Sequence, residues 1–241
     1  MDIPVLIYHQ VTDDSDEYTI TDCHCYTNNF IKQMEYLKSN GYAIITLAQA
    51  IDNFKNNIND AQPRVILTFD DAFQSFFEVV YPILNNFGFP AHLYVPVHRI
   101  GGYSSWMKKP KSQKNIMNIE QLQEVSQNNI IIGSHTLTHT KLTHLEPFHQ
   151  LKELELSRKI LESYLGISVS DLSYPHGDFD EKTLKFVADV GYKTAVTCNS
   201  KFFNRYDDSL SIPRIYITQQ DTLEMFISKV QGVKSLTGFV A

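Results

Sequence analysis

The sequence predicts an α/β fold built on a parallel sheet, either a barrel or a doubly wound sheet. Three observations carry this. Short apolar runs alternate with segments of helical periodicity along almost the whole chain. Glycines stand just beyond several of the helical segments. Roughly seven or eight strand-like runs are interleaved with those helices, a pattern typical of βα units. The 241 residues, 43% hydrophobic and 20% charged, are an ordinary globular composition with ample core. No repeat, low-complexity tract or linker divides the chain, so residues 1–241 read as one domain.

Taken in order, Val5–Tyr8 is an apolar run ending at His9. Phe30, Met34 and Leu37 recur at helical spacing, and Gly41 follows as a stop. Residues 42–46 and 65–69 read as strands. Residues 73–87 have a helical pattern with Gly88 behind it, and Pro82 predicts a kink or break near Val80. Residues 91–97 form a fourth strand. The stretch 98–115, with Gly101, Gly102 and the only tryptophan, Trp106, breaks the rhythm and is expected to be a long loop. Residues 118–127 read as a helix and 130–132 as a short buried strand. Pro147–Leu165 is the clearest helix, with Leu151, Leu154, Ile160, Leu161 and Leu165 broadly on one side and Gly166 at its end. Residues 171–175, 192–197 and 212–217 supply further strands, accompanied by helices around 182–190 and 222–230. Met34, Met117 and the aromatics at helical spacing read as core.

The net charge of −6 without a basic stripe argues against nucleic acid or an anionic membrane as partner. The local cluster Lys108-Lys109-Pro110-Lys111 reads as solvated surface. No apolar stretch approaches the roughly 18 residues that would span a bilayer. The start, Met1-Asp2-Ile3-Pro4, lacks the basic and apolar regions of a signal peptide. Cys23, Cys25 and Cys198 cannot all pair within one chain. Together these features predict a cytoplasmic protein. Cys23-His24-Cys25 is too tightly spaced for a zinc knuckle and reads as a loop with semi-buried thiols. The sequence sets no oligomeric state.

Asp70 and Asp71 end the apolar run 64–69, where parallel folds collect their active sites. Successive strand residues point to opposite faces, so both carboxylates border one pocket only if the chain turns at once. Alternatively, Asp71 caps a helix starting near Phe73. Further on, Ser134-His135-Thr136-Leu137-Thr138-His139 carries two histidines four apart, which on a helical turn would share one face and reach one ion. Alternatively they are polar loop residues. An Asp with an H-x-x-x-H pair makes a three-ligand metal site and points to metal-assisted hydrolysis. His144 is read as surface or capping. Trp106 either stacks on a sugar ring or anchors its loop.

Thr68-Phe69-Asp70-Asp71, Ser134 to His139, and Ser173-Tyr174-Pro175-His176-Gly177 occur in the order and spacing of the polysaccharide deacetylases. Over most of the chain it thus resembles this NodB-like group, carbohydrate esterase family 4. The resemblance implies a distorted (β/α) barrel of seven or eight strands. It also implies a divalent metal, Zn²⁺ with Co²⁺, Ni²⁺ or Mn²⁺ as alternatives, held by Asp71, His135 and His139. Asp70 is then the general base. The backbone N–H of His176, after the motif proline, supports the oxyanion, and Tyr174 and Trp106 belong to the substrate-binding set. Ala72 stands where the family usually has Gly, so the turn is expected to be one that Ala tolerates. Ser173 stands where an arginine is frequent, and the usual C-terminal Leu-x-x-His is missing. Both departures resemble the circularly permuted branch that deacetylates poly-N-acetylglucosamine. There the acid histidine lies on the first strand, the place of His9, and a C-terminal Pro-Arg strand lies beside the site. Arg214 is thereby expected to pair with Asp70, an ordinary surface ion pair being the alternative. The implied activity is removal of N-acetyl groups from a sugar or glycan. Its rivals are hydrolysis of a non-sugar amide and a catalytically silent carbohydrate-binding relative.

Overall fold

The computed structural model describes residues 2–13, 24–58, 61–107 and 113–232. β1 (Val5–Tyr8) is wholly buried, as its unbroken apolar run requires of a strand covered on both faces. β2 (Gln10–Val11) and β3 (His24–Cys25) pair in parallel and lead to α1 (Thr27–Ser39), which buries Phe30, Met34 and Leu37. β4 (Ala43–Ile44) is shorter than the expected strand because Thr46 leaves it to cap α2 (Leu47–Lys55), a helix the sequence reading missed. Its signal is a Thr-x-x-Gln capping box. The Gln49 N–H donates to Thr46 Oγ1 at 3.2 Å, and the Thr46 N–H to Gln49 Oε1 at 2.9 Å.

β5 (Arg64–Phe69) is followed by a wide π-type turn over Phe76–Val80 and then α3 (Tyr81–Phe87). The break falls where Pro82 predicts it, and Pro82 sits in the first turn of α3, where no amide hydrogen is needed. β6 (Ala91–Val95) stops at Pro96, short of the expected end. α4 (Ile119–Ser126), β7 (Ile130–Ser134), α5 (Pro147–Leu165), β8 (Asp171–Ser173), α6 (Glu181–Val190), β9 (Thr194–Val196), β10 (Ile215–Tyr216) and α7 (Leu223–Gln231) complete the order. The described part of the 98–115 loop is strapped across its neck, the Ser104 N–H bonding Lys114 O and the Ile116 N–H bonding Gly102 O. Cys23 and the cluster Lys108 to Lys111 lie outside the described residues. His24 and Cys25 bond backbone carbonyls, of Thr12 and Tyr26 respectively.

The main sheet runs β10-β1-β5-β6-β7-β8-β9, every pairing parallel, with β4 beside the start of β5. It curls into a half-barrel. The segment leading into β10 completes the circuit, since Val196 of β9 bridges Ile212 while Ile215 pairs with Leu6 of β1. The predicted α/β barrel is borne out. Alternate strand residues such as Val5, Ile66, Tyr94 and Val196 form one apolar cluster, and their neighbours pack against the helices in another. A buried relay pins the start of α2 to the sheet: the Leu47 N–H donates to His92 Nε2 at 3.1 Å, and His92 Nδ1 lies 2.9 Å from Asp171 Oδ2. Among the described residues, no helix is long and apolar enough to cross a membrane.

Gly133 of β7 is where this packing is least forgiving. A Cβ there would lie 2.5 Å from the Tyr94 ring and 2.9 Å from the Asp171 carbonyl oxygen. Gly133→Ala is therefore expected to destabilise the protein by about 2 kcal/mol through overpacking. A lowered urea midpoint with unchanged slope checks it.

Candidate active site

The site begins with the register of β5. Ile66, Thr68 and Asp70 share one face of the strand by its two-residue period. Asp71 would face the opposite way, but the chain turns at once: Asp71 has φ 73° and Ala72 φ 48°. Ala72 thus adopts the left-handed conformation that glycine takes easily, at a cost of about 1 kcal/mol. Its carbonyl is held by the Met117 N–H at 2.9 Å, and the residue is fully buried. Asp71 caps no helix; its carboxylate faces two histidines.

Those histidines stand on a loop after β7, not on the helical turn their spacing suggested. Thr136 and His139 both have φ 63°. The loop is clasped from below by Glu153 of α5, which accepts from the N–H groups of Leu137 and Thr138 at 2.9 Å each and from Thr138 Oγ1 at 2.8 Å. Sequence reasoning missed Glu153. Its only signal is an acidic residue on the buried face of α5, which also carries Gln150 and Ser157 beside Leu154 and Leu161. His135 Nδ1 lies 2.8 Å from Ser173 O, so that nitrogen carries the proton and donates it, leaving Nε2 bare. Nε2 of His135 and Nε2 of His139 lie 3.5 and 3.2 Å from Asp71 Oδ1.

This donor set fits a metal ion. Asp71 Oδ1 is buried without a hydrogen-bond partner, and the three ligand atoms lie within 4.8 Å of one another. Tetrahedral zinc sites space their N and O ligands about 3.4 Å apart. Burial lowers the His135 pKa to about 4, so at neutral pH it presents a lone pair rather than a proton. Burial works to raise the Asp71 carboxyl, but His139 and His135 outweigh it and hold the group ionised.

Asp70 has a different partner. Arg214, fully buried, grips it in two bonds of 2.7 Å, Nη1 to Oδ1 and Nη2 to Oδ2. Ser173 Oγ donates to Asp70 Oδ2 and accepts from Arg214 Nη2, both at 3.0 Å. Arg214 Nε donates to Thr197 O at 2.9 Å. Burial opposes ionisation of Asp70, and the adjacent guanidinium overrides it, holding the carboxyl well below the usual range. The pairing of Arg214 with Asp70 is thus the reading the structure bears out, and Ser173 is part of it.

A cavity of about 270 Å³ opens onto both carboxylates and is lined also by His9, Gln10, Phe73, Trp106, His135, His139 and His176. The Asp70 N–H bonds Tyr8 O at 3.0 Å, which sets His9 beside Asp70. The His9 ring lies parallel to Tyr216, 6.1 Å between centroids, and burial lowers its pKa. Trp106 stacks on His139 at 4.0 Å, and His176 meets the same ring edge-on at 4.9 Å. His176 is exposed at the rim with φ 60°. The bonds of its turn run from Gly177 N–H to Tyr174 O and from Asp178 N–H to Pro175 O, and its own N–H takes part in neither. Tyr174 does not line the cavity. Its side chain is fully buried, stacks on Phe179 and donates to Leu210 O at 2.8 Å, so a direct substrate contact is corrected to a packing role. His144 is exposed and apart from the site.

Residues 57–195 match the polysaccharide deacetylase family. The chain belongs to that family. It is 25% identical over 232 residues to the putative polysaccharide deacetylase YxkH of Bacillus subtilis, covering 96% of this chain and 77% of that one. It is 21% identical to the poly-beta-1,6-N-acetyl-D-glucosamine N-deacetylase of Escherichia coli, where 94% of this chain spans 38% of the relative. Among solved structures, the Streptococcus pyogenes deacetylase PplD in complex with acetate is 26% identical with a TM-score of 0.84, covering 95% of this chain and 98% of that one. IcaB from Ammonifex degensii, 21% identical over 96% of this chain and 97% of that one, shares the fold with a TM-score of 0.79.

Because Asp70 is held below its unfolded pKa, the pair with Arg214 gives stability that is present above about pH 4 and lost as the pH falls through the folded value. Arg214→Leu removes the strongest influence that lowers Asp70, leaving burial to push it up against His135 and His9 only. The variant is expected to be less stable than the parent by about 3–5 kcal/mol at pH 7. The deficit should shrink at pH 5, as protonation of Asp70 becomes easier. Denaturant titrations of both proteins with chelator at the two pH values check this.

Proposed function

We propose that this chain is a metal-dependent hydrolase that removes N-acetyl groups from an N-acetylated sugar or glycan. One observation carries the reading: the two consecutive residues that follow β5 open onto a single cavity with opposite partners, Asp71 facing the Nε2 atoms of two histidines and Asp70 facing a guanidinium. The E. coli relative's name makes a β-1,6-linked N-acetylglucosamine oligomer the first substrate to try.

Asp71, His135 and His139 would hold a divalent ion, Zn²⁺ ahead of Co²⁺, Ni²⁺ or Mn²⁺, which polarises the acetyl carbonyl and makes water acidic enough to attack near neutral pH. Asp70, kept ionised by Arg214, takes the proton from the attacking water. The His176 N–H donates to the oxygen of the tetrahedral intermediate as it gains negative charge. His9 then gives its proton to the departing nitrogen as the C–N bond breaks, and acetate and a free amine leave. Burial favours the neutral His9 ring while the charges of Asp70 and Asp71 favour its protonated form, so His9 takes up a proton before it can donate one. Trp106 and Phe73 offer apolar surface to the sugar ring.

The test is acetate release from N-acetylglucosamine oligomers and from acyclic amides. Zinc-restored protein is expected to release acetate from the oligomers, chelated protein to release none, and Asp70→Asn to be slower by about 10²–10⁴-fold. Release from acyclic amides alone would make the protein a non-sugar amide hydrolase. Glycan binding without hydrolysis under any divalent metal would make it a silent binder.

A further inference from the structure

Gln10 lines the cavity and has no part in the mechanism; Tyr216 and Cys198, also on the wall and also unused, bond each other at 3.0 Å. Gln10 follows His9 and is only 9% exposed. Pairing of β2 with β3, Gln10 opposite His24, fixes its backbone. Its carboxamide is bonded by no described residue, yet its polar atoms are not sealed in the protein interior. An amide so enclosed is left unpaired at a cost only when a substrate displaces its water and offers no partner in return. Its partner therefore comes from what fills the cavity.

The chemistry of that partner is constrained. The carboxamide is neutral, with one acceptor oxygen and two N–H donors. A hydroxyl, which both donates and accepts, matches it. Of the cavity's other polar groups, Tyr216 and Cys198 bond each other and the carboxylates and histidines have work in the proposed reaction, while Phe73, Trp106 and Met107 are apolar. Gln10 and His9 line the same cavity, so a substrate whose nitrogen reaches His9 has its neighbouring atoms in the space that Gln10 borders. In an N-acetylhexosamine those atoms are hydroxylated ring carbons. A simple acetamide has nothing there.

Resting on the deacetylase reading, we propose that the Gln10 carboxamide hydrogen-bonds a ring hydroxyl of the sugar whose amide is cleaved, and so makes the site demand a sugar. Gln10 is a specificity-determining residue and moves no proton.

The experiment measures kcat/KM of zinc-loaded parent and Gln10→Leu on N-acetylglucosamine oligomers, on a set of mono-deoxy analogues and on 4-nitrophenyl acetate, which carries no sugar ring and no ring hydroxyl. On the oligomer, Gln10→Leu is expected to lose about ten- to a hundredfold. One deoxy analogue should cost the parent a similar factor and cost the variant nothing further, while ester hydrolysis stays within about twofold. Gln10→Met serves if the leucine variant does not fold, judged by its thermal transition. Additive losses on every analogue, or an equal loss on the ester, overturn the role of Gln10 while leaving the deacetylase reading intact. If the parent frees no acetate from any N-acetylated sugar but hydrolyses the ester, the deacetylase reading fails and this proposal falls with it.

Discussion

The buried pair between Arg214 and Asp70 joins the two things this chain must do at once, close its sheet and hold its chemistry. Arg214 lies between Ile212, which bridges β9, and Ile215, which pairs with β1. Its guanidinium reaches inward to Thr68 of β5 and to Asp70 just after it, to Ser173 at the end of β8 and to the carbonyl of Thr197 just after β9. A charged pair in such a place adds little net stability against an apolar alternative, because desolvation cancels much of its attraction. Its value lies in specificity. Only one arrangement of the closing segment satisfies both charges, and that arrangement fixes an ionised carboxylate at the mouth of the half-barrel.

The second constraint is backbone geometry. Asp71, Ala72, Thr136, His139 and His176, all in the loops around the site, have positive φ. Asp and His tolerate this region better than most residues, Ala and Thr less well. Such strain persists only where surrounding structure overdetermines it. Here the restraints are visible: Met117 on the Ala72 carbonyl, Glu153 beneath the histidine loop, and the His135 bond to Ser173. These turns point neighbouring residues in different directions, which is how adjacent aspartates acquire different partners.

Much of this was legible in the sequence. The long apolar runs gave β1 and β5, the leucine stripe and Gly166 gave α5 with its observed bounds, and Pro82 marked the break before α3. The Asp pair and the histidine pair marked the site because their residue types are the message. What escaped depends on information a local pattern does not hold. α2 has only a capping box to announce it, and its hydrophobic face is short. The histidine spacing fits a helical turn, yet the clasp by Glu153, distant in sequence, makes it a loop. Tyr174 sits inside a site motif but turns its ring into the core, and that segment meets the cavity at His176 instead.

The central claim is that Asp70 and Asp71 divide the work, one for a proton and one for an ion. Zinc titration calorimetry on Asp70→Asn and Asp71→Asn, each checked for an intact thermal transition, tests it most directly. Asp70→Asn should bind one zinc ion with close to the parent's affinity, and Asp71→Asn should lose about 10-fold or more, since a neutral amide replaces the anionic ligand. Equal loss in both variants, or undiminished binding in Asp71→Asn, would contradict the division.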